Sequence, residues 1–118
     1  MSLTLTLALL VGLGGMAGAT SRHVVDQQLV GKWSTFTVNV LGSVALGFIV
    51  TAPVGDAAAT LAGTGFCGAF TTFSSFAVGV AELVDVGDYR TAARYAFGTL
   101  LAALVGVAIG GAVGGVVG

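Results

Sequence analysis

Charged residues are scarce in this sequence of 118 residues, and its long apolar runs contain no acids or bases. Asp, Glu, Lys and Arg make up 8% of the chain, whereas 56% is hydrophobic and the mean hydropathy is +1.04. Soluble proteins have about 25% charged residues, so this composition excludes a soluble globular domain. The net charge of −1 also gives no basic surface that would bind nucleic acid.

The charged residues separate apolar stretches that are long enough to cross a bilayer, which takes about 20 residues of helix. The predicted transmembrane spans are 3–21, 33–53, 59–81 and 95–116. Trp33 and Tyr95 open the second and fourth spans at the depth where interfacial aromatic residues are common. The sequence therefore predicts a single transmembrane domain over residues 1–118, in an all-α, multi-pass protein of the cell membrane.

The absence of ionisable groups from the predicted spans restricts the transport mechanism. Proton-coupled transport usually relies on an intramembrane Asp, Glu or His, and no predicted span contains one. A small four-helix multidrug exporter is one alternative, but that class works through a glutamate in its first span, and Met1–Ser21 has no acid. The single cysteine, Cys67, excludes an intramolecular disulfide and is expected to be a small packing residue.

One glycine pattern matches a nucleotide-binding motif without its structural context. Residues 63–68 fit GxGxxG, and Asp85 follows at about the distance of a ribose-binding acid. That motif requires a preceding strand within a βαβ unit, whereas these residues lie inside a predicted span. We therefore expect no nucleotide site, and we expect that the protein is not an enzyme.

Glycine is abundant, with 20 residues, and its spacing predicts tight helix packing. Small residues that recur every four positions share a helix face, where they let two backbones approach closely. The rows comprise Gly98, Ala102, Gly106, Gly110, Gly114 and Gly118 in the fourth span, and Gly14 and Gly18 in the first. A closely packed bundle with a narrow interior is expected.

A cluster of glycine, threonine, serine and phenylalanine interrupts the third span. Residues 68–76 read Gly-Ala-Phe-Thr-Thr-Phe-Ser-Ser-Phe, which makes a poor helix interior. We predict a break in the third helix near its centre. Non-helical backbone at membrane depth is tolerated where protein buries it or water reaches it, and its freed carbonyls are natural cation ligands. The break is therefore predicted to mark the functional centre.

Polar, uncharged side chains in the second span favour an anion as the transported species. Thr35, Asn39 and Ser43 are spaced by four and share a helix face. An amide and hydroxyls can donate hydrogen bonds to an anion without trapping it by opposite charge. Alternatively, these side chains only join helices. A purely structural membrane subunit would explain the glycine rows, but it would not explain Asn39 together with a broken third helix.

These motifs resemble the fluoride channels of the Fluc or CrcB family. The matching segments are Gly14-Gly15-x-x-Gly18-Ala19-x-x-Arg22, Thr37-Val-Asn39-x-x-Gly42-Ser43-x-x-x-Gly47 and Gly65-x-x-Gly68-x-x-Thr71-Thr72-Phe73-Ser74-x-Phe76. The fourth span matches less well, because Tyr95 and Thr99 fit the family pattern but its leucine-rich run is diluted by alanine and glycine. The resemblance implies a channel that exports fluoride down its gradient and lowers cytoplasmic fluoride.

The resemblance also implies an assembly and a set of site residues. It implies an antiparallel dimer with two fluoride pores and a central structural sodium ion held by the backbone carbonyls of Gly68 and Thr71. Phe73 and Phe76 would face fluoride with their ring edges, and Arg22 would lie in the aqueous vestibule. The expected pore residues are Thr35, Asn39, Ser43, Phe73, Ser74, Ser75, Phe76, Tyr95 and Thr99.

The basic residues indicate an orientation in the membrane. Alternate connections lie on the same side, which places Arg22, Lys32, Arg90 and Arg94 together. The positive-inside rule assigns that side to the cytoplasm and leaves both termini outside. A chain that inserts in both orientations would show almost no such bias. If the dimer is antiparallel, this bias predicts a partner that is a homologue of opposite topology rather than a second copy of this chain.

Overall fold

The computed structural model describes residues 2–117, and helices account for nearly all of this range, with no strand in it. The elements are α1 (Leu3–Gln28), α2 (Lys32–Thr51), α3 (Asp56–Ala59), a π-helix (Thr60–Cys67), α4 (Gly68–Phe70), α5 (Phe73–Asp85) and α6 (Tyr89–Val117). α1, α2, the composite third span Asp56–Asp85 and α6 are each long and apolar enough to cross a membrane. The predicted all-α membrane protein with four transmembrane helices is confirmed.

The glycine row of α6 permits a close contact along α2. A Cβ atom at Gly110 would overlap the carbonyl oxygen of Val44, and one at Gly114 would overlap the hydroxyl of Thr51. On α2, a Cβ at Gly47 would overlap the carbonyl oxygen of Val107. The missing side chains let the two backbones touch and gain dispersion contacts that lipid does not replace.

The upstream part of the predicted row does not take part in this contact. Gly98 is exposed, and a Cβ there would meet no atom within 4 Å. The buried upstream positions are Ala92 and Thr99, which lead to Gly106 in steps of seven. A four-residue step overshoots a full helical turn by about 40°, so a long row of such steps leaves the contact face. Gly118 lies outside the described residues.

The glycines of α1 have the same function against the third span. A Cβ at Gly14 would overlap the carbonyl oxygen of Leu61, and one at Gly18 would overlap that of Phe66. Gly65 approaches equally closely from the π-helix, where a Cβ would lie 2.9 Å from the Cα of Gly14. The π-helix therefore packs closely against α1, and this contact positions the start of the segment that contains the break.

The third span breaks at Thr71 and Thr72, within the predicted segment. Thr71 has φ −81° and ψ 160°, and Thr72 has φ −148° and ψ 113°, so both residues are extended. The Thr72 hydroxyl then caps α5 by accepting a hydrogen bond of 3.1 Å from the backbone N–H of Ser75. The predicted break is confirmed, and it separates α4 from α5.

Polar contacts join the helix ends on one side of the bundle. Lys32 Nζ lies 3.8 Å from Glu82 Oε2, which ties the start of α2 to the end of α5. The Ser34 hydroxyl donates a hydrogen bond to the Asp26 carboxylate near the end of α1. Connections 29–31 and 86–88 therefore lie on the same side, in agreement with the topology drawn from the sequence.

Candidate functional site

The side chain of Asn39 bridges α2 to the break in the third span. Its Nδ2 donates to the carbonyl oxygen of Thr72 at 3.0 Å, and its Oδ1 accepts from the Thr72 backbone N–H at 2.8 Å. One side chain thus satisfies both backbone groups of an extended residue at membrane depth, where unpaired groups are costly. Asn39 Nδ2 keeps a second N–H that can serve a ligand.

A cavity of about 280 Å³ lies beside this bridge. Its walls come from α2, the break, α5 and α6, and they hold no ionisable side chain. The lining residues are Asn39, Ser43, Thr71, Thr72, Phe73, Phe76, Thr99, Leu100 and Ala103. The structure therefore brings together the predicted residues Asn39, Ser43, Thr71, Phe73, Phe76 and Thr99, and it adds Thr72, Leu100 and Ala103.

The hydroxyl groups of the cavity differ in what they can still donate. Ser43 donates to the carbonyl oxygen of Asn39 at 2.6 Å, and Thr71 donates to that of Cys67 at 2.9 Å, so neither O–H is free. The hydroxyl oxygens of Thr99 and Tyr95 are buried and have no hydrogen-bond partner in residues 2–117. An anion in this cavity would therefore find the Thr99 hydroxyl and the second N–H of Asn39.

Aromatic rings continue from the cavity towards α6. The ring centroids of Phe73 and Phe76 are 6.1 Å apart and inclined by 48°, and those of Phe76 and Tyr95 are 5.3 Å apart and inclined by 44°. Inclined rings present edges, which carry partial positive charge, as well as faces. Phe73 is 78% exposed in the single chain, so one side of the cavity is open.

Three of the remaining predicted pore residues line a second cavity, on another face of α5. Thr35, Ser74 and Ser75 surround a space of about 320 Å³, together with the Lys32–Glu82 ion pair. Thr35 therefore lines this cavity, whereas Asn39 and Ser43 line the first one. The step of eight residues from Thr35 to Ser43 rotates the side-chain direction by about 80° around the helix axis. Tyr95 borders neither cavity and instead lines a groove between α2 and α6.

Arg22, the predicted vestibule residue, lies within α1 and borders none of the spaces described above. It is partly buried. The structure therefore does not bring Arg22 together with the other predicted site residues in the single chain.

The carbonyls of Gly68 and Thr71 have the chemistry that a cation site needs. In a continuous helix they would accept from the N–H groups of Thr72 and Ser75. Those donors bond instead to Asn39 Oδ1 and to the Thr72 hydroxyl. Both carbonyls are released from helical pairing, and Gly68 is exposed on the surface of the chain. They fit a hard cation such as sodium, which prefers oxygen ligands.

Sequence reasoning missed the importance of Thr72, which lines the cavity, caps α5 and receives the Asn39 bridge. A usable signal was present, because threonine is a preferred N-cap residue. Thr72 directly precedes Phe73, the first residue of α5.

Comparison with known proteins assigns the chain to a family. The family model "CrcB-like protein, Camphor Resistance (CrcB)" matches residues 9–114. Among relatives, Fluoride-specific ion channel FluC 2 of Natronomonas pharaonis is 48% identical over 107 residues, which cover 89% of this chain and 91% of the relative. FluC 2 of Haloarcula marismortui is 46% identical over 101 residues, with 83% and 85% covered. FluC of Chlorobium chlorochromatii is 37% identical over 107 residues, with 82% and 83% covered. The chain belongs to the CrcB-like family.

Proposed function

We propose that this protein is a fluoride-selective channel that lets fluoride leave the cell down its gradient. The observation that carries the proposal is the cavity beside the broken helix, which offers an amide N–H, a free hydroxyl and phenyl rings, and no charge. The relatives in the family are named fluoride-specific ion channels, which supports the same conclusion. The coarser conclusion, an ion channel of the membrane, rests on the same names and on four membrane-spanning helices.

The lining explains how a small anion can be bound and still released. Asn39 and Thr99 replace part of the water that fluoride loses on entry, and the ring edges of Phe73 and Phe76 add weak attraction. A Lys or Arg in the same place would hold the ion by full opposite charge and slow its exit.

A sodium ion would be a structural component of this channel, held by the released carbonyls of Gly68 and Thr71. Each chain offers these two oxygens, so two chains meeting at the break would supply four ligands. The cation would lower the energy of a nearby anion and repel mobile cations. The ion would stay in place while fluoride moves.

A second subunit would complete the pore. Phe73 and Gly68 are exposed in the single chain, although one is proposed to touch fluoride and the other to bind sodium. An antiparallel partner lying against the break would cover both residues and close the open side of the cavity. The partner is either a second copy or a homologue of opposite topology, and Arg22 would then border the aqueous vestibule of the assembled channel.

Fluoride efflux from proteoliposomes tests the function directly. Vesicles loaded with potassium fluoride should release fluoride rapidly once valinomycin lets potassium leave with it and balance the charge. Vesicles loaded with potassium chloride should not release chloride. Fluoride release that requires a proton gradient would instead indicate an exporter. No flux from correctly assembled protein would indicate a structural subunit and contradict the proposal.

A further inference from the structure

A groove between the N-terminal ends of α2 and α6 combines two cations with an apolar lining. It has a volume of about 480 Å³, and it shares Lys32 with the cavity around Ser74 and Ser75 and Thr99 with the cavity beside the Asn39 bridge. Two cations, Lys32 and Arg94, share its lining with the apolar residues Trp33, Phe36 and Gly98. The other lining residues are Thr91, Tyr95 and Thr99. Cations placed above an apolar slot match the two parts of an anionic lipid, its phosphate and its acyl chain.

The helix registers explain why these residues meet. Thr91, Arg94 and Gly98 follow spacings of three and four on α6, so they share one face. On α2, Trp33 and Phe36 are spaced by three and pack edge to face, with ring centroids 6.1 Å apart and an interplanar angle of 81°. Gly98 contributes no side chain to the groove. A Cβ atom there would meet nothing within 4 Å, which shows that the space beside Gly98 is open.

The groove is open at the surface of the single chain. Trp33 is 71% exposed, although its indole ring is large and apolar. It stands beside Lys32 at the first turn of α2, where tryptophan usually meets the headgroup region. Lys32 also pairs with Glu82, but both side chains are substantially exposed, so this ion pair is weak and leaves the ammonium available.

We propose that this groove binds an anionic phospholipid of the cytoplasmic leaflet. Arg94 and Lys32 bind the phosphate, Thr91 lies at the level of the headgroup, and one acyl chain lies along Trp33 and Phe36 over Gly98. The side of the membrane agrees with this occupant, because the basic residues of the chain lie on the side that the positive-inside rule assigns to the cytoplasm.

Trp33 is the single tryptophan of the chain, so its fluorescence reports directly on the occupant of the groove. The protein is reconstituted into vesicles of phosphatidylcholine and phosphatidylglycerol, with bromine on the acyl chains of one lipid or the other at equal mole fractions. Brominated phosphatidylglycerol should quench Trp33 several-fold more effectively than brominated phosphatidylcholine.

Matched variants separate a built site from general surface charge. Arg94→Gln and Lys32→Gln should each lower the preference for phosphatidylglycerol by roughly threefold to fivefold, the effect of one cation near an anionic headgroup. Arg90→Gln removes the same charge on the same side outside the groove and should leave the preference unchanged. Gly98→Leu keeps every charge but fills the slot, and it should also remove the preference.

Several results would overturn the proposal. Equal quenching by the two lipids would show that the groove does not select anionic headgroups. An equal loss in Arg90→Gln and Arg94→Gln would show attraction to the surface as a whole. Weak quenching by both lipids would show that protein, such as a second subunit, covers Trp33.

Discussion

Asn39 both bridges two helices and lines the cavity proposed to conduct fluoride. Its amide pairs both backbone groups of Thr72 across 33 residues of sequence, and the residue also lines the cavity that contains Phe73 and Phe76. A buried backbone group that loses its partner costs about 1–3 kcal/mol. Any substitution of Asn39 should therefore affect both the shape of the break and the donor available to an anion.

Replacing Asn39 with alanine should reduce fluoride flux at least tenfold, because it removes an N–H donor from the cavity and leaves the backbone of Thr72 without its partner. A tenfold loss corresponds to an increase of about 1.4 kcal/mol in the barrier. Efflux from proteoliposomes, measured with a fluoride electrode, gives the rate, and gel filtration reports assembly. Thr20→Val is the matched control, because the Thr20 hydroxyl bonds only to Met16 O of its own helix at 2.7 Å. Equal fluxes in both variants would contradict a pore position for Asn39.

The phenyl rings of Phe73 and Phe76 should be essential for conduction. Isoleucine keeps an apolar side chain but has no positive ring edge, so Phe73→Ile and Phe76→Ile should nearly abolish flux while leaving assembly intact. Phe97→Ile is the control, because Phe97 is 66% exposed on α6 and does not border the cavity. Normal fluoride currents in the Phe73 and Phe76 variants would remove the ring-edge mechanism.

At the scale of the helices, the contact between α2 and α6 depends on particular glycines rather than on glycine content. Gly110→Ala should destabilise the protein by about 1–3 kcal/mol, because the new Cβ would overlap the carbonyl oxygen of Val44. Gly115→Ala, on the same helix, meets nothing within 4 Å and should be neutral or stabilising. Thermal unfolding in detergent distinguishes the two variants, and equal midpoints would contradict this packing.

The broken third span should bind sodium when the protein is assembled. We expect thermal unfolding in sodium to occur at a higher temperature than in N-methylglucamine, because the cation binds the folded state through the Gly68 and Thr71 carbonyls. A crystal structure should show a density at the break with oxygen ligands only. A water with two or three hydrogen-bond donors around it, and no effect of sodium on unfolding, would count against the site.

Some of these elements follow from sequence alone, and others depend on how distant segments meet. The break was predictable because Thr71, Thr72 and their neighbours disfavour a helix wherever they occur. The Asn39–Thr72 bridge was not, because it joins positions 33 residues apart through the packing of two spans. The predicted role of Gly98 in packing was wrong, since repeated four-residue steps drift around a helix and leave it outside the contact.

At the scale of the whole molecule, the distribution of basic residues determines which orientation the partner in an antiparallel dimer would need. The contact between Lys32 and Glu82 shows that connections 29–31 and 86–88 lie on the same side, and Arg90 and Arg94 lie in the first two turns of α6. A chain with its basic residues on one side inserts in one orientation. We therefore predict that the functional channel pairs this chain with a homologue of opposite topology.

Expression of this gene by itself in cells that lack fluoride export tests the pairing. A chain fixed in one orientation should give little fluoride resistance alone, because an antiparallel dimer needs a subunit inserted the other way. Cysteine tags at the N-terminus should then react with a membrane-impermeant reagent from one side only, in a Cys67→Ala background that removes the single native thiol. Reducing the charge bias should increase fluoride resistance: Arg90→Gln with Arg94→Gln removes the two basic residues that follow the third connection, 86–88, and should increase labelling from the opposite side. Full resistance of the unmodified chain, with equal labelling from both sides, would establish a dual-topology homodimer and reject the heterodimer.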